Sequence, residues 1–281
     1  MRVLVTGAGG MVGRAVNDYC RSEGDEVFAY DHAALDISDE RLVRETLGKD
    51  RPEAVINCAA WTDVDGCEKE PARAKTANSA GPENLARASR HVGAILVTIS
   101  TDYVFDGVRE GFYTQRDDPN PQSVYGLSKL NGERCAQFAS ARTVVVRSGF
   151  IFGPGGSNFL SSLAERVRRG EKITAIGDAW GTPTYSRHLA ARLRQLAQLD
   201  LPGIYHVVNS GEGASYAEFG REVAEALGHD RSLVESGRAD DLKRPAPRPR
   251  NSRLQCLLSE GLGLAPLPNW QDAVRDFVTV V

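Results

Sequence analysis

Five short apolar runs rich in β-branched residues punctuate the first half of the chain: RVLVT (2–6), EVFAY (26–30), AVINC (54–58), AILVTIS (94–100) and TVVVRS (143–148). Segments of helix length, mixing polar and apolar positions, separate them, and the first begins at about Met11 and ends at about Arg21. Apolar runs that are continuous rather than alternating predict strands buried on both faces, which a parallel sheet covered by helices provides. Alternation of strand and helix with right-handed crossovers then gives an α/β fold, a doubly wound parallel sheet of the Rossmann type.

After about residue 150 the rhythm changes. FGPGGSNF reads as a glycine-rich loop, helices are expected at about 157–169 and 215–227, and the tail from 243 is rich in proline and arginine. RHLAARLRQLAQL (187–199) and GIYHVVN (203–209) nevertheless read as one more helix and buried strand of the first kind. The expected organisation is therefore a sheet domain over 1–150, rejoined by about 187–209, with a smaller, discontinuous C-terminal region over 151–281.

The chain has 281 residues, 41% hydrophobic and 25% charged, enough for one large core or two unequal ones. A formal net charge of −3 gives no overall attraction to nucleic acid or to an anionic membrane, so a small-molecule partner is expected. No apolar run approaches a membrane span and MRVLVTGAGG turns to glycine too early for a signal peptide, which points to the cytoplasm. The five cysteines are odd in number and form no C-x-x-C pair, as expected of reduced thiols, and the scattered histidines suggest no metal site.

Chemistry enters with V-T-G-A-G-G-M-V-G, where Gly7, Gly10 and Gly13 follow the first strand and open the first helix. Glycine permits the tight turn and lets the backbone approach a pyrophosphate, while the helix N-terminus offers free N–H groups and a positive dipole end. A dinucleotide site is expected there. Asp31, eighteen residues past Gly13 and just after the second strand, is placed to bond the adenosine ribose hydroxyls.

Y-G-L-S-K puts Tyr125 and Lys129 four residues apart, one turn of a helix, so both side chains emerge on one face. A phenol titrates near 10 and is a poor acid–base catalyst at neutral pH; a lysine cation beside it would favour the phenolate and lower that value. Ser100 and Thr101 end the fourth strand, at the sheet edge where ligands bind, and a hydroxyl there can hold a carbonyl oxygen against the phenol.

The glycine spacing, Asn57-Cys58-Ala59-Ala60, Ser100-Thr101-Asp102 and Tyr125-x-x-x-Lys129 resemble the extended short-chain dehydrogenase/reductases. The segments 59–81, STDYVFDG (100–107), GSNF (156–159), GTPTYSRHLA (181–190), GIYH (203–206) and RPRNSRL (248–254) further resemble, in order, the signatures of the dTDP-4-dehydrorhamnose reductase family. The resemblance implies an NADPH- or NADH-dependent reductase of a 4-keto nucleotide sugar; the sequence leaves monomer and homodimer both open. It casts Thr101 as the holder of the sugar carbonyl, Tyr125 as proton donor and Lys129 as the grip on the nicotinamide ribose. Cofactor contacts are expected at Gly7, Gly10, Met11, Val12, Gly13 and Asp31, at Asp36 and Ile37 beside the adenine, at Cys58, Ala59, Ala60 and Asn78, and at Tyr125 and Lys129 themselves. Sugar-side contacts are expected at Val64, Asp102, Val104, Phe105, Phe150, Asn158 and Arg248.

Two departures touch the sugar pocket. Where the family pattern has R-T-S-W-V-Y-G this chain has Arg147 to Gly153 as R-S-G-F-I-F-G, so Phe150 replaces a tryptophan; and D-Q-x-G-x-P-T becomes Asp178-Ala179-Trp180-Gly181-Thr182-Pro183-Thr184. The basic tail, Lys243, Arg244, Arg248, Arg250 and Arg253, offers guanidinium forks for a diphosphate, or a solvated loop stiffened by Pro245, Pro247 and Pro249. Trp61 and Tyr103 read as packing residues. Two other classes compete with a reductase: an idle nucleotide-binding regulator, which need not keep Thr101, Tyr125 and Lys129, and an epimerase or dehydratase, the latter wanting a glutamate beside Thr101 and Asp102.

Overall fold

In a computed structural model describing residues 1–281, five strands, β1 (Arg2–Thr6), β2 (Glu26–Tyr30), β3 (Ala54–Asn57), β4 (Ile95–Thr101) and β5 (Thr143–Ser148), lie parallel in one sheet. A sixth strand, Gly203–His206, pairs parallel with β5, and the spatial order is Gly203–His206, β5, β4, β3, β1, β2. The three central strands β3, β4 and β5 are buried almost throughout, which accounts for their unbroken apolar sequence. The order reverses at β1, so the carboxyl ends of β1 and β3 flank the crevice where such sheets take ligands.

Helices cover both faces. On one, α1 (Met11–Ser22) packs against the helix Ser186–Leu199. On the other, α2 (Glu40–Asp50), Gly81–Val92 and Val124–Ala139 lie side by side. Separate apolar clusters follow, one around Val3, Val97, Val146 and Leu193, the other around Leu4, Val55, Leu85 and Leu96. Consecutive strand residues feed alternate clusters, as the two-residue period demands.

Beyond Ser148 lies a third core of 19 buried residues, including Phe152, Tyr185, Phe219, Trp270 and Phe277. It holds the helices Phe159–Arg168, Tyr216–Ala226 and Trp270–Val278 and a two-stranded parallel ribbon of Ile173–Ile176 with Val234–Gly237. Asn158 and Ser215 cap the first two of these helices, Ser215 in a reciprocal capping box with Glu218. The ribbon and the last helix were not singled out by the sequence pattern. The segment 64–92 is likewise more broken than a single helix, passing through two short helices and a π-turn before Gly81. The arginine-proline tail runs extended between the regions, bridging Tyr113 through Leu254 and Trp180 through Asn251.

Candidate active site

The glycine turn is built by close approach. Gly7 has φ 63°, and a side chain there would meet Ala59 N at 2.7 Å, so the turn after β1 lies flush on the loop after β3. A side chain on Gly13 would stand 2.1 Å from the Gly7 carbonyl oxygen. Gly10 begins α1 with no side-chain cap, leaving the first-turn N–H groups facing the cleft. Gly10, Met11, Val12 and Gly13 line that cleft together with Cys58, Ala59 and Ala60.

Asp31 stands beside this turn, its β-carbon 3.5 Å from where a side chain on Gly9 would begin, and its carboxylate accepts the Ala34 N–H at 2.9 Å. Arg14, just past the last glycine, gives its guanidinium to the carbonyls of Gly9 and Gly155, the latter at 2.8 Å, tying the turn to the glycine loop of the second region. Asp36 and Ile37 lie outside the main cleft: Asp36 caps its own turn through Ser38, and Ile37 is buried against Gly81. Asn78 also lies away from it. Buried, it accepts from Trp61 N at 2.9 Å and donates to Ser128 at 3.0 Å, pinning the loop after β3 to the tyrosine-bearing helix. Trp61 itself packs under Arg73.

That helix, Val124–Ala139, starts under two caps. Ser123 accepts from Gly126 N at 3.1 Å, and Glu68 from a neighbouring helix accepts from Val124 N at 2.7 Å. Tyr125 in its first turn and Lys129 one turn on both reach the cleft, where Thr101 ends β4. Tyr103 meets the Tyr125 ring edge-on at 5.9 Å and lines the cleft too, so it touches the site as well as packing.

The electrostatics differ from the expectation that Lys129 would depress the phenol. Burial pushes the Tyr125 phenol well above its ordinary value, opposed by a hydrogen bond with Thr101 and reinforced by Asp102 and Cys67. The Lys129 ammonium donates to the Ile99 carbonyl at 2.7 Å, and burial brings it down to about 8. The phenol is therefore held as a neutral acid across the working pH range. Asp102 is buried; it accepts from Thr101 Oγ1 at 3.0 Å and from Ser252 Oγ, and burial raises it to about 6.

The sugar-side candidates separate. Val64 lines the cleft, and so does Asn158, although its amide is engaged with Ser161 N and the Ile151 carbonyl. Phe150 lines it at φ 46°, with its ring tight over Gly181 and 4.5 Å from the Tyr216 ring. Val104 and Phe105 do not: both are fully buried, Phe105 stacked on Tyr113 at 4.4 Å, because the turn after Asp102 directs them into a separate cluster with Leu130 and Leu254. Arg248 sits in a bidentate pair with Asp65 at 2.9 and 2.8 Å rather than projecting freely.

Arg250 is likewise held by Asp178 and Asp240, and Arg253 by backbone carbonyls between the rings of Phe112 and Trp180. Arg244 and Leu242 of the tail line both the main cleft, about 910 Å³, and a smaller one of about 350 Å³ that opens beside it. Tyr216, Leu242 and Ile176 are cleft residues that no motif marked as such, whereas Arg14, just past the last glycine of the turn, is placed in the cleft as its position beside the cofactor suggests. Ser215 ahead of Glu218 signals a helix start at Tyr216, but nothing local says which way that ring faces.

A doubly wound sheet with a glycine turn at its switch point, meeting a buried tyrosine, lysine and threonine, defines a nucleotide-cofactor oxidoreductase. The chain belongs to the family described as RmlD substrate binding domain, which matches residues 1–281. It is 38% identical over 283 residues to a dTDP-4-dehydrorhamnose reductase of Mycolicibacterium smegmatis, covering 100% of this chain and 86% of the relative. It is 38% identical over 281 residues to the dTDP-4-dehydrorhamnose reductase of Streptomyces griseus, covering 98% and 92%. The crystal structure of dTDP-4-dehydrorhamnose reductase from Bacillus anthracis in complex with NADP superposes with a TM-score of 0.95 at 32% identity, covering 100% of this chain and 99% of that one.

Proposed function

We propose that the chain reduces the 4-keto group of a dTDP-linked 6-deoxyhexose with NADPH or NADH, converting dTDP-4-dehydro-β-L-rhamnose to dTDP-L-rhamnose. The observation that carries this reading is the convergence in one cleft of the glycine turn, of Thr101, Tyr125 and Lys129, and of an aromatic wall from Phe150 and Tyr216. The sheet region, 1–150 with its return over 187–209, holds the cofactor, and the remainder of 151–281 holds the sugar nucleotide. The protein acts in the cytoplasm as a monomer or homodimer; no helix is long and apolar enough to cross a membrane.

The turn fits a dinucleotide, since any side chain at Gly7 or Gly13 would collide with backbone while the uncapped start of α1 leaves N–H groups for a pyrophosphate. Asp31 takes the adenosine ribose and Lys129 the nicotinamide ribose. A reduced nicotinamide supplies the hydride for the carbonyl carbon. Thr101 turns its hydroxyl from Asp102 to the carbonyl oxygen, and Tyr125 gives its proton to that oxygen as the alkoxide forms. Burial suits this order: the phenol keeps its proton until a stronger base stands beside it.

The test follows NAD(P)H absorbance with a panel of 4-keto nucleotide sugars differing in base and in configuration at C3 and C5. A preference for the dTDP-linked L-lyxo sugar is expected; preference for a GDP- or UDP-linked member overturns the substrate. Tyr125→Phe should lower kcat by ~10²–10⁴-fold with cofactor affinity kept. Retention of more than about a tenth of the rate removes Tyr125 from its role, given that magnitude.

A further inference from the structure

Glu133 follows Lys129 by one helical turn and Tyr125 by two, so the three side chains form a stripe on one face of the helix Val124–Ala139. Neither the glycine turn nor the cleft wall uses Glu133, yet it is buried at 3% exposure. Its Oε1 accepts from the Ser100 hydroxyl and from Arg147 Nε at 2.9 Å, and its Oε2 accepts from Arg147 Nη2 at 2.7 Å. Ser100 and Arg147 are register partners on the adjoining strands β4 and β5. One carboxylate thus ties the tyrosine helix to two central strands at their carboxyl ends.

Ser100 occupies a particular place in β4. The residue before it, Ile99, gives the carbonyl that holds the Lys129 ammonium, and the residue after it is Thr101. We propose, on the reading of the cleft as a carbonyl reductase, that Glu133 is a positioning residue: through Ser100 it sets the Ile99–Thr101 edge against Lys129 and Tyr125, and it places a carboxylate one helical turn from the lysine.

The surroundings of Lys129 bear this out. Burial lowers its pKa, and Glu133 is the foremost group raising it, followed by the Cys58 thiol from the loop after β3. Tyr125 precedes it on its own helix, and Arg147 on β5 faces Glu133 rather than Lys129. Behind Arg147, His206 of the strand Gly203–His206 is buried and driven down to about 4, so it adds no charge near neutrality. Arg147 is itself seated 5.2 Å over the buried Phe105 ring.

Removing one member of a buried pair strands the other charge, so the informative variant is Glu133→Gln with Arg147→Gln, beside Ser100→Ala and Glu133→Asp. Wild-type activity on the 4-keto dTDP sugar must be present first; without it the reading of the reaction fails, not this assignment. Rates are taken from pH 6 to 10, with melting temperature and NADH binding as checks on folding. The double variant should stay folded, lose about tenfold or more in kcat, as misplacement of reacting groups does, and show its alkaline limb at lower pH than the wild type. Ser100→Ala should lower kcat without moving that limb, and Glu133→Asp should recover most of the rate and the wild-type limb. A double variant within about twofold of wild-type kcat, or one slowed with its alkaline limb unmoved, overturns the assignment, as does Glu133→Asp behaving like the double variant; a twofold change is under about 0.5 kcal/mol of barrier. If the double variant fails to fold, Ser100→Ala and Glu133→Asp decide alone: unchanged kcat in the first and a shifted limb in the second would overturn it.

Discussion

Asp31 and Arg14 pull cofactor choice in opposite directions when read only as charges. Their contacts resolve the contest. Arg14 spends its guanidinium on the carbonyls of Gly9 and Gly155, whereas Asp31 lies exposed beside the glycine turn, where its negative charge opposes a 2′-phosphate. NADH should therefore serve at least as well as NADPH, and Asp31→Ser should raise kcat/KM for NADPH relative to NADH by about tenfold, some 1.4 kcal/mol. Steady-state titration with both cofactors checks this; a wild-type preference for NADPH of tenfold or more refutes the role given to Asp31. Phe150 shows a different limit of single-residue reasoning. Its ring is set by a positive φ and by the absence of a side chain on Gly181, so the wall against the sugar is a Phe150–Tyr216 pair where the motif alone suggested one shrunken aromatic.

The short helix Val64–Lys69 and the arginine-proline tail form a strap at the cleft mouth. Asp65 accepts from Ala246 N at 3.0 Å as well as from Arg248, and the Arg248 hydrogen bond, more than any other influence, holds the carboxyl down at about 2. Because the folded value lies below that of a free aspartate, this anchor contributes fully above about pH 4 and is lost as pH falls towards 2. Asp65→Asn should loosen the strap and raise the KM for the sugar nucleotide by about three- to tenfold, within the roughly 0.5–1.5 kcal/mol of an ordinary hydrogen bond, while leaving NADH binding unchanged. Arg244 is the tail arginine that lines both clefts without an ion-pair partner, which makes it our choice for the diphosphate. Arg244→Gln should raise that KM by tenfold or more, given about 1.5–3 kcal/mol for a hydrogen bond to a charged group. Equal sugar KM values in wild type and Arg244→Gln would assign the diphosphate elsewhere.

Across the whole molecule, the cofactor turn and the catalytic side chains ride on one buried sheet, and the aromatic wall rides on a separate core. Saturating NADH should therefore raise the melting temperature of Tyr125→Phe as much as that of the wild type, since binding at about 100 times Kd stabilises by ~2.7 kcal/mol without reference to chemistry. Differential scanning calorimetry with and without NADH makes the comparison, and a shift in wild type that is absent in Tyr125→Phe would place the phenol in cofactor binding.

Much of this was legible in one dimension. Unbroken β-branched runs mean strands buried on both sides, glycines at positions 7, 10 and 13 mean backbone contact, and a four-residue spacing puts Tyr125 and Lys129 on one helical face; each rests on local geometry that a short stretch of chain carries. The return of Gly203–His206 to the sheet edge was legible for the same reason. What stayed hidden depends on residues far apart in the chain. Val104 and Phe105 sit next to the catalytic motif but point into the core, Tyr216 reaches the cleft from 91 residues beyond Tyr125 in the numbering, and Arg248 finds Asp65 across 183 residues. The phenol's pKa belongs with these: a lysine one turn away predicts a lowered value, but burial outweighs it and sends the value up. Spacing along a helix dictates which side chains share a face; solvent exclusion and the partners that meet there arise only when distant strands, helices and tail pack together.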